Sequence, residues 1–144
     1  MNRLVNDFIK ELAQKLKIQI PKVYYDTRHF ANNTMLAQCE PDENVIYITP
    51  FLKATPDIIF AIAHELRHMW QIQYHPNEYM INHKTVDTID FEQFNLQPAE
   101  IDANAFAYIV MMDFFKMRPS FDNLSQNVIN KILERANQIE LETE

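Results

Sequence analysis

Thr55-Pro56-Asp57-Ile58-Ile59-Phe60-Ala61-Ile62-Ala63-His64-Glu65-Leu66-Arg67-His68-Met69-Trp70-Gln71-Ile72-Gln73-Tyr74 is the stretch on which the reading of this chain turns. It opens as helices do, with a hydroxyl residue to cap, proline at the first helical position and an acid in the first turn. From Ile58 to Ile72 it is apolar on most faces, which predicts a buried helix over 55–74. His64 and His68 stand four apart, so they share one face, a turn from each other. Both imidazoles can then reach a single metal ion at about 2.0–2.1 Å. Glu65 lies about 100° round the helix, too far to be a natural third ligand but close enough to grip a water beside that ion. Two ligands and a base are the working parts of a metal hydrolase. The bland alternative is a pair of core histidines satisfied by hydrogen bonds.

Working outward, Leu4, Val5, Phe8, Ile9, Leu12, Ala13 and Leu16 recur at helical spacing and predict a first amphipathic helix over 3–17. Ile18–Tyr25 reads as a strand. Thr34–Cys39 and Asn44–Thr49 read as a hairpin around a polar turn. Asn44–Thr49 is the candidate for the sheet edge, or its immediate neighbour, on which an extended peptide could lie by strand addition; closing the core explains the hairpin equally well. Residues 75–97 have no clear period and read as a long loop with short helical turns. A helix from Pro98 to about Met117 follows, Pro119–Asp122 breaks it, and Leu124, Val128, Ile129, Ile132, Leu133, Ala136 and Ile139 mark a last amphipathic helix with a frayed tail after Glu140. The class expected is α+β in one domain over 1–144: an N-terminal helix, a small mostly antiparallel sheet, the two-histidine helix, and two further helices.

Composition narrows the function classes. A net charge of −7 argues against a general binder of nucleic acid or anionic membrane. The apolar positions near the N-terminus are interrupted by Arg3, Asp7, Lys10 and Glu11, which does not fit a signal peptide, and no stretch is apolar enough to span a bilayer. With the single Cys39, which excludes an internal disulfide, a cytoplasmic protein is expected. Cys39 could serve as a ligand or a redox-sensitive thiol, but free cysteine more often packs as a small hydrophobe. There is no glycine, so turns fall to Asn, Asp and Pro, as at Asn32-Asn33, Glu40–Asn44 and His75-Pro76-Asn77. The absence also excludes the metzincins, whose required glycine and third histidine are here Gln71 and Tyr74.

A catalytic metal needs a third protein ligand. Downstream candidates are His75, His83, Asp87, Asp90, Glu92, Glu100 and Asp102. His75 shares the helical face of His64 and His68 but lies about 10 Å beyond His68 along the axis. Glu100 has better surroundings: with Ala103, Asn104, Ala107 and Met111 it forms one face, whose alanines permit close helix approach. Asn104, one turn on, can hydrogen-bond a ligand from behind. Asp102 points about 200° away from Glu100 and cannot join the same ion. The alternative for Glu100 is an acid in the first turn of a helix, where the macrodipole favours it, and the ligand reading is preferred to it.

His64-Glu65-x-x-His68, followed by Glu100-x-x-Ala103-Asn104-x-Phe106-Ala107, resembles the zincins whose third ligand is a glutamate on a second helix. In particular it looks like the small ImmA/IrrE-type metallopeptidases of bacteria and mobile elements. The likeness covers the order of elements over roughly residues 1–118. It implies that His64, His68 and Glu100 bind zinc, that Glu65 is the general base, and that Asn104 supports a ligand. Hydrolysis of a peptide bond is the activity expected. A protein or peptide would be the substrate, and restraint would come from narrow specificity or a regulatory protein partner. His83 and Tyr79 are candidate donors to a developing oxyanion. The competing readings are a catalytically silent zincin-fold binding module with a structural zinc, and a helical interaction protein whose HExxH is fortuitous.

Overall fold

In the computed structural model, which describes residues 3–30, 35–51 and 53–142, helices pack around a small three-stranded sheet in an α+β arrangement. The order is α1 (Arg3–Leu16), β1 (Lys22–Tyr24), β2 (Ala37–Glu40), β3 (Val45–Ile48), α2 (Pro56–Tyr74), α3 (Pro76–Tyr79), α4 (Phe91–Leu96), α5 (Pro98–Phe115) and α6 (Gln126–Glu142). Among the described residues, no helix is long and apolar enough to cross a membrane.

The sheet departs from the expected mostly antiparallel form. Its order is β1-β3-β2, with β2 antiparallel and β1 parallel to the central β3. The turn explains why. Asn44, left-handed at φ 56°, accepts at its carbonyl from the Lys22 N–H (3.0 Å) and donates its side-chain amide to the Ile20 carbonyl (3.2 Å). Those bonds start β1 beside the start of β3, so the two strands run the same way. β1 is also shorter than expected, because Ile18 closes α1 instead: its N–H reaches the Ala13 carbonyl at 3.0 Å across left-handed Lys17.

Without glycine, the left-handed positions among the described residues fall to Lys17, Asn44 and Lys116. Two of the three are lysines at helix C-termini, not the Asn, Asp or Pro expected. Each carries about 1–2 kcal/mol of Cβ crowding that glycine would avoid. The expected turn at Asn32-Asn33 and the strand start at Thr34 lie outside the described residues, as do Thr143 and Glu144. α6 continues to Glu142, past the point where fraying was expected.

Two apolar clusters set the positions of the helices. The larger joins Val5, Phe8, Ile9 and Leu12 of α1 to Ile46 and Ile48 of β3, Ile58, Ile62 and Leu66 of α2, and Ala107, Val110 and Met111 of α5. The smaller packs Ala105 of α5 against Val128, Ile132, Ala136 and Ile139 of α6. α5 is therefore covered by α2 on one side and α6 on the other, and its buried residues run round the helix. Ala99, Ala103 and Ala107 are fully buried there.

Candidate metal centre

α2 begins as its sequence dictates. The Thr55 hydroxyl accepts from the Ile58 N–H at 3.3 Å and Pro56 takes the first turn. The helix then carries His64 and His68 to the face that meets α5. Their Nε2 atoms lie 3.0 Å apart. Glu100, in the first turn of α5 and 3% exposed, places Oε1 3.1 Å from His64 Nε2 and Oε2 3.1 Å from His68 Nε2. These three side chains, one donor atom each, form a group that could hold a metal ion.

The outer nitrogens of both rings are engaged. Asn104 Oδ1 is 2.8 Å from His64 Nδ1, and Gln71 Oε1 is 2.9 Å from His68 Nδ1. That leaves both Nε2 atoms aimed at the shared point, as metal-ligating histidines require. Glu65 flanks the group. Its Oε1 accepts from the Cys39 N–H on β2 at 2.9 Å, and its Oε2 lies 3.9 Å from His64 Nε2.

Electrostatics follow from the crowding. Burial alone would push the Glu100 carboxyl up. The charge on His68, with hydrogen bonds from His64, His68 and His83, overcomes that and holds it well below the usual carboxylate range. Burial opposes a charged His68 ring, yet the Glu100 charge and hydrogen bond, then Glu65 and Gln71, raise it from 6.5 to about 9. In the metal-free protein a proton thus occupies the place of a cation. Loading a divalent metal near neutral pH should release about one proton, read by calorimetry in buffers of different ionisation enthalpy. The sign for stability is fixed too. A raised histidine stabilises fully below 6.5 and loses that contribution as pH rises through about 9. The thermal midpoint of the metal-free protein should fall over that range, and a rising midpoint would contradict this geometry.

Of the other residues weighed as ligands, His83 alone reaches the group, its Nε2 2.9 Å from Glu100 Oε2. Its loop is clasped by Gln97, whose side chain accepts from Lys84 N (2.6 Å) and donates to Lys84 O (2.9 Å). His75 pairs with Glu78, Asp87 with Thr85, and Asp90 caps α4 by accepting from Gln93 N. Glu92 is exposed in the first turn of α4. Asp102 faces away into arginines. Cys39 lies outside the group, and burial, then the charge of Glu65, pushes its thiol well up. Tyr79 is turned to Arg135, 3.3 Å from its Nη2, and Tyr74 bonds to the Lys17 carbonyl.

Three residues near the centre were not singled out as site residues from sequence: Gln71, Arg67 and Arg135. Gln71 stands three after His68, on the same helical face, and that spacing was a usable signal. A cleft of about 760 Å³ opens beside the group, lined by Leu36, Phe60, Ala61, Phe91, Asn104 and Phe121 among others.

No protein-family model matches the sequence, and neither a curated protein nor a solved structure matches the chain.

Proposed function

We propose that this chain is a zinc-dependent metallopeptidase with a minimal zincin-like fold, in line with its resemblance to the ImmA/IrrE-type enzymes. One observation carries the reading: the Nε2 atoms of His64 and His68 and the carboxylate of Glu100 converge, with Glu65 alongside. Two imidazoles and a carboxylate, each imidazole backed by an amide oxygen, fit zinc and leave room for a fourth, non-protein ligand. When bound there, zinc would supply Lewis acidity, making a water acidic near neutral pH and polarising a carbonyl.

The chain's own residues would do the rest. Glu65 takes the proton of the attacking water and returns it to the leaving amine. The Cys39 N–H holds Oε1 and keeps the carboxylate beside the histidines. β2 is the edge strand next to α2, and β3 is its neighbour. Thr49 N bonds to Leu36 O, so in the alternation of the ladder Ala37 and Cys39 turn their backbone groups outward. The Cys39 N–H is taken by Glu65, so an extended peptide would pair with Ala37 and the Cys39 carbonyl and pass over the histidines toward the cleft. His83 is the better placed of the two candidate oxyanion donors, since it stands at Glu100 beside the group while Tyr79 is turned to Arg135.

The test is cleavage of a peptide library by protein stripped of metal and reloaded with zinc. Glu65→Gln should bind zinc as wild type does and cut about a hundredfold more slowly. If zinc-loaded wild type cuts nothing, the silent binding module takes its place. If the purified protein takes up only substoichiometric traces of zinc, the zincin reading falls altogether.

A further inference from the structure

We infer that Gln71, anchored by Asp102 and through it by Arg135 of α6, fixes the ring orientation and tautomer of His68, so that the C-terminal helix helps to set metal affinity without supplying a ligand. The inference rests on the metal-site reading above and adds a positioning residue to it.

The two ends of the Gln71 amide have different neighbours. Nε2 lies 2.9 Å from the Ala99 carbonyl oxygen and 2.8 Å from Asp102 Oδ2, both acceptors. A reversed amide would aim oxygen at two oxygens, so the orientation is decided by the network. Oε1 is then the atom facing His68 Nδ1, and as an acceptor it requires the proton on Nδ1. Nε2 of the same ring, which faces Glu100 and His64, is then the nitrogen whose lone pair a metal would take on displacing its proton. Gln71 is fully buried, so no water competes for either end.

Asp102 is held as firmly. It is 1% exposed and accepts from Arg67 Nε (2.7 Å) and Nη2 (3.1 Å), and from Arg135 Nε (2.8 Å). A continuous path runs Arg135, Asp102, Gln71, His68, linking α6 through α5 to α2.

The test uses the full chain labelled with ¹⁵N-histidine. In zinc-loaded wild type, His68 should coordinate through Nε2 and show a slowly exchanging Nδ1–H. Metal-free protein near neutral pH should show the same slowly exchanging Nδ1–H, held by Gln71 Oε1. Gln71→Met, similar in length but without donor or acceptor, should lose that proton signal and bind zinc about 10–100-fold more weakly. Gln71→Glu keeps the acceptor for His68 and loses the donor to Ala99 and Asp102. Its zinc affinity should return toward wild type while its stability does not, a split that a purely structural role would not give.

Coordination through Nδ1, an Nδ1–H in metal-free wild type that exchanges fast, or unchanged zinc affinity in Gln71→Met would each overturn the inference. Should Gln71→Met fail to fold, the wild-type Nδ1–H decides alone. A wild type that binds no zinc would sink the peptidase reading, while the Nδ1–H of the metal-free protein would still test Gln71.

Discussion

Glu100→Ala is expected to weaken zinc binding at the proposed centre by roughly a hundred- to a thousandfold. Structural zinc sites bind with an apparent 10–16 kcal/mol spread over four ligands, or about 2.5–4 kcal/mol per ligand. Glu100 is also where the site's charge is balanced: its two oxygens meet His64, His68 and His83 within 3.1 Å. Without it, two neutral imidazoles remain as ligands, and the carboxylate still beside a dication, Glu65, flanks the group rather than coordinating. Glu100→Gln keeps the shape and removes the charge, so it should fall between alanine and wild type. Competition with a chelator of known affinity measures all three. Asp102→Ala, which removes no ligand and acts on His68 only through Gln71, should cost far less zinc affinity. The reverse order would show that the wrong face of α5 meets α2.

How much of this centre could be read from sequence depended on the helix it sat on. His64, Glu65 and His68 lie within one turn, where spacing alone fixes their relation. Glu100 and Asn104 sit on a different helix, yet their i, i+4 relation and the alanine stripe were enough to pick out a face that packs on α2. Gln71 was legible only as the position where a metzincin would have glycine; its i+3 relation to His68 carried a second meaning. Arg135 was not legible. Its partner Asp102 is 33 residues away on another helix, and no local period states which face of α6 will meet α5. The same holds for the Gln97 clasp on Lys84, which places His83 by two backbone contacts that leave no mark in composition.

The fold divides along the same line. The helices could be read because each carries its own apolar period and caps, as α2 does with Thr55 and Pro56. Sheet order could not. Adjacent strands β2 and β3 pair as a hairpin, which sequence suggested, but β1 joins the far side of β3 through Asn44, a contact between a turn and a segment over twenty residues earlier. That single tertiary contact makes the sheet mixed. It also makes β2 the strand that faces the histidine helix, and so decides which backbone a substrate would meet.

Asp102→Ala should be the most destabilising single change near the site, by about 3–5 kcal/mol, because it strands a buried charge. Arg67 is 5% exposed, with its guanidinium carbon 3.6 Å from the Trp70 ring centroid and 5.0 Å from that of Phe106. Those rings lend cation–π support, about 2 kcal/mol or more in a desolvated setting, which offsets only part of the cost of an unpaired cation. Arg135 differs. It is partly exposed and already near Gln138 and Glu142 at 3.3 Å, so it can turn outward, and Arg135→Met should cost less. Urea unfolding in the presence of a chelator isolates this effect from metal loss. The double variant Arg67→Met/Asp102→Leu should recover most of the stability, since apolar groups of similar volume can replace a buried pair at little cost. A loss below about 1 kcal/mol for Asp102→Ala, the range of exposed ion pairs, would mean that water reaches Arg67. Asp102 and Glu100 are two residues apart on one helix, yet their variants should rank in opposite orders: Glu100 first for zinc affinity, Asp102 first for stability. That crossing separates the residue proposed to hold the metal from the one that holds the helices which would present it.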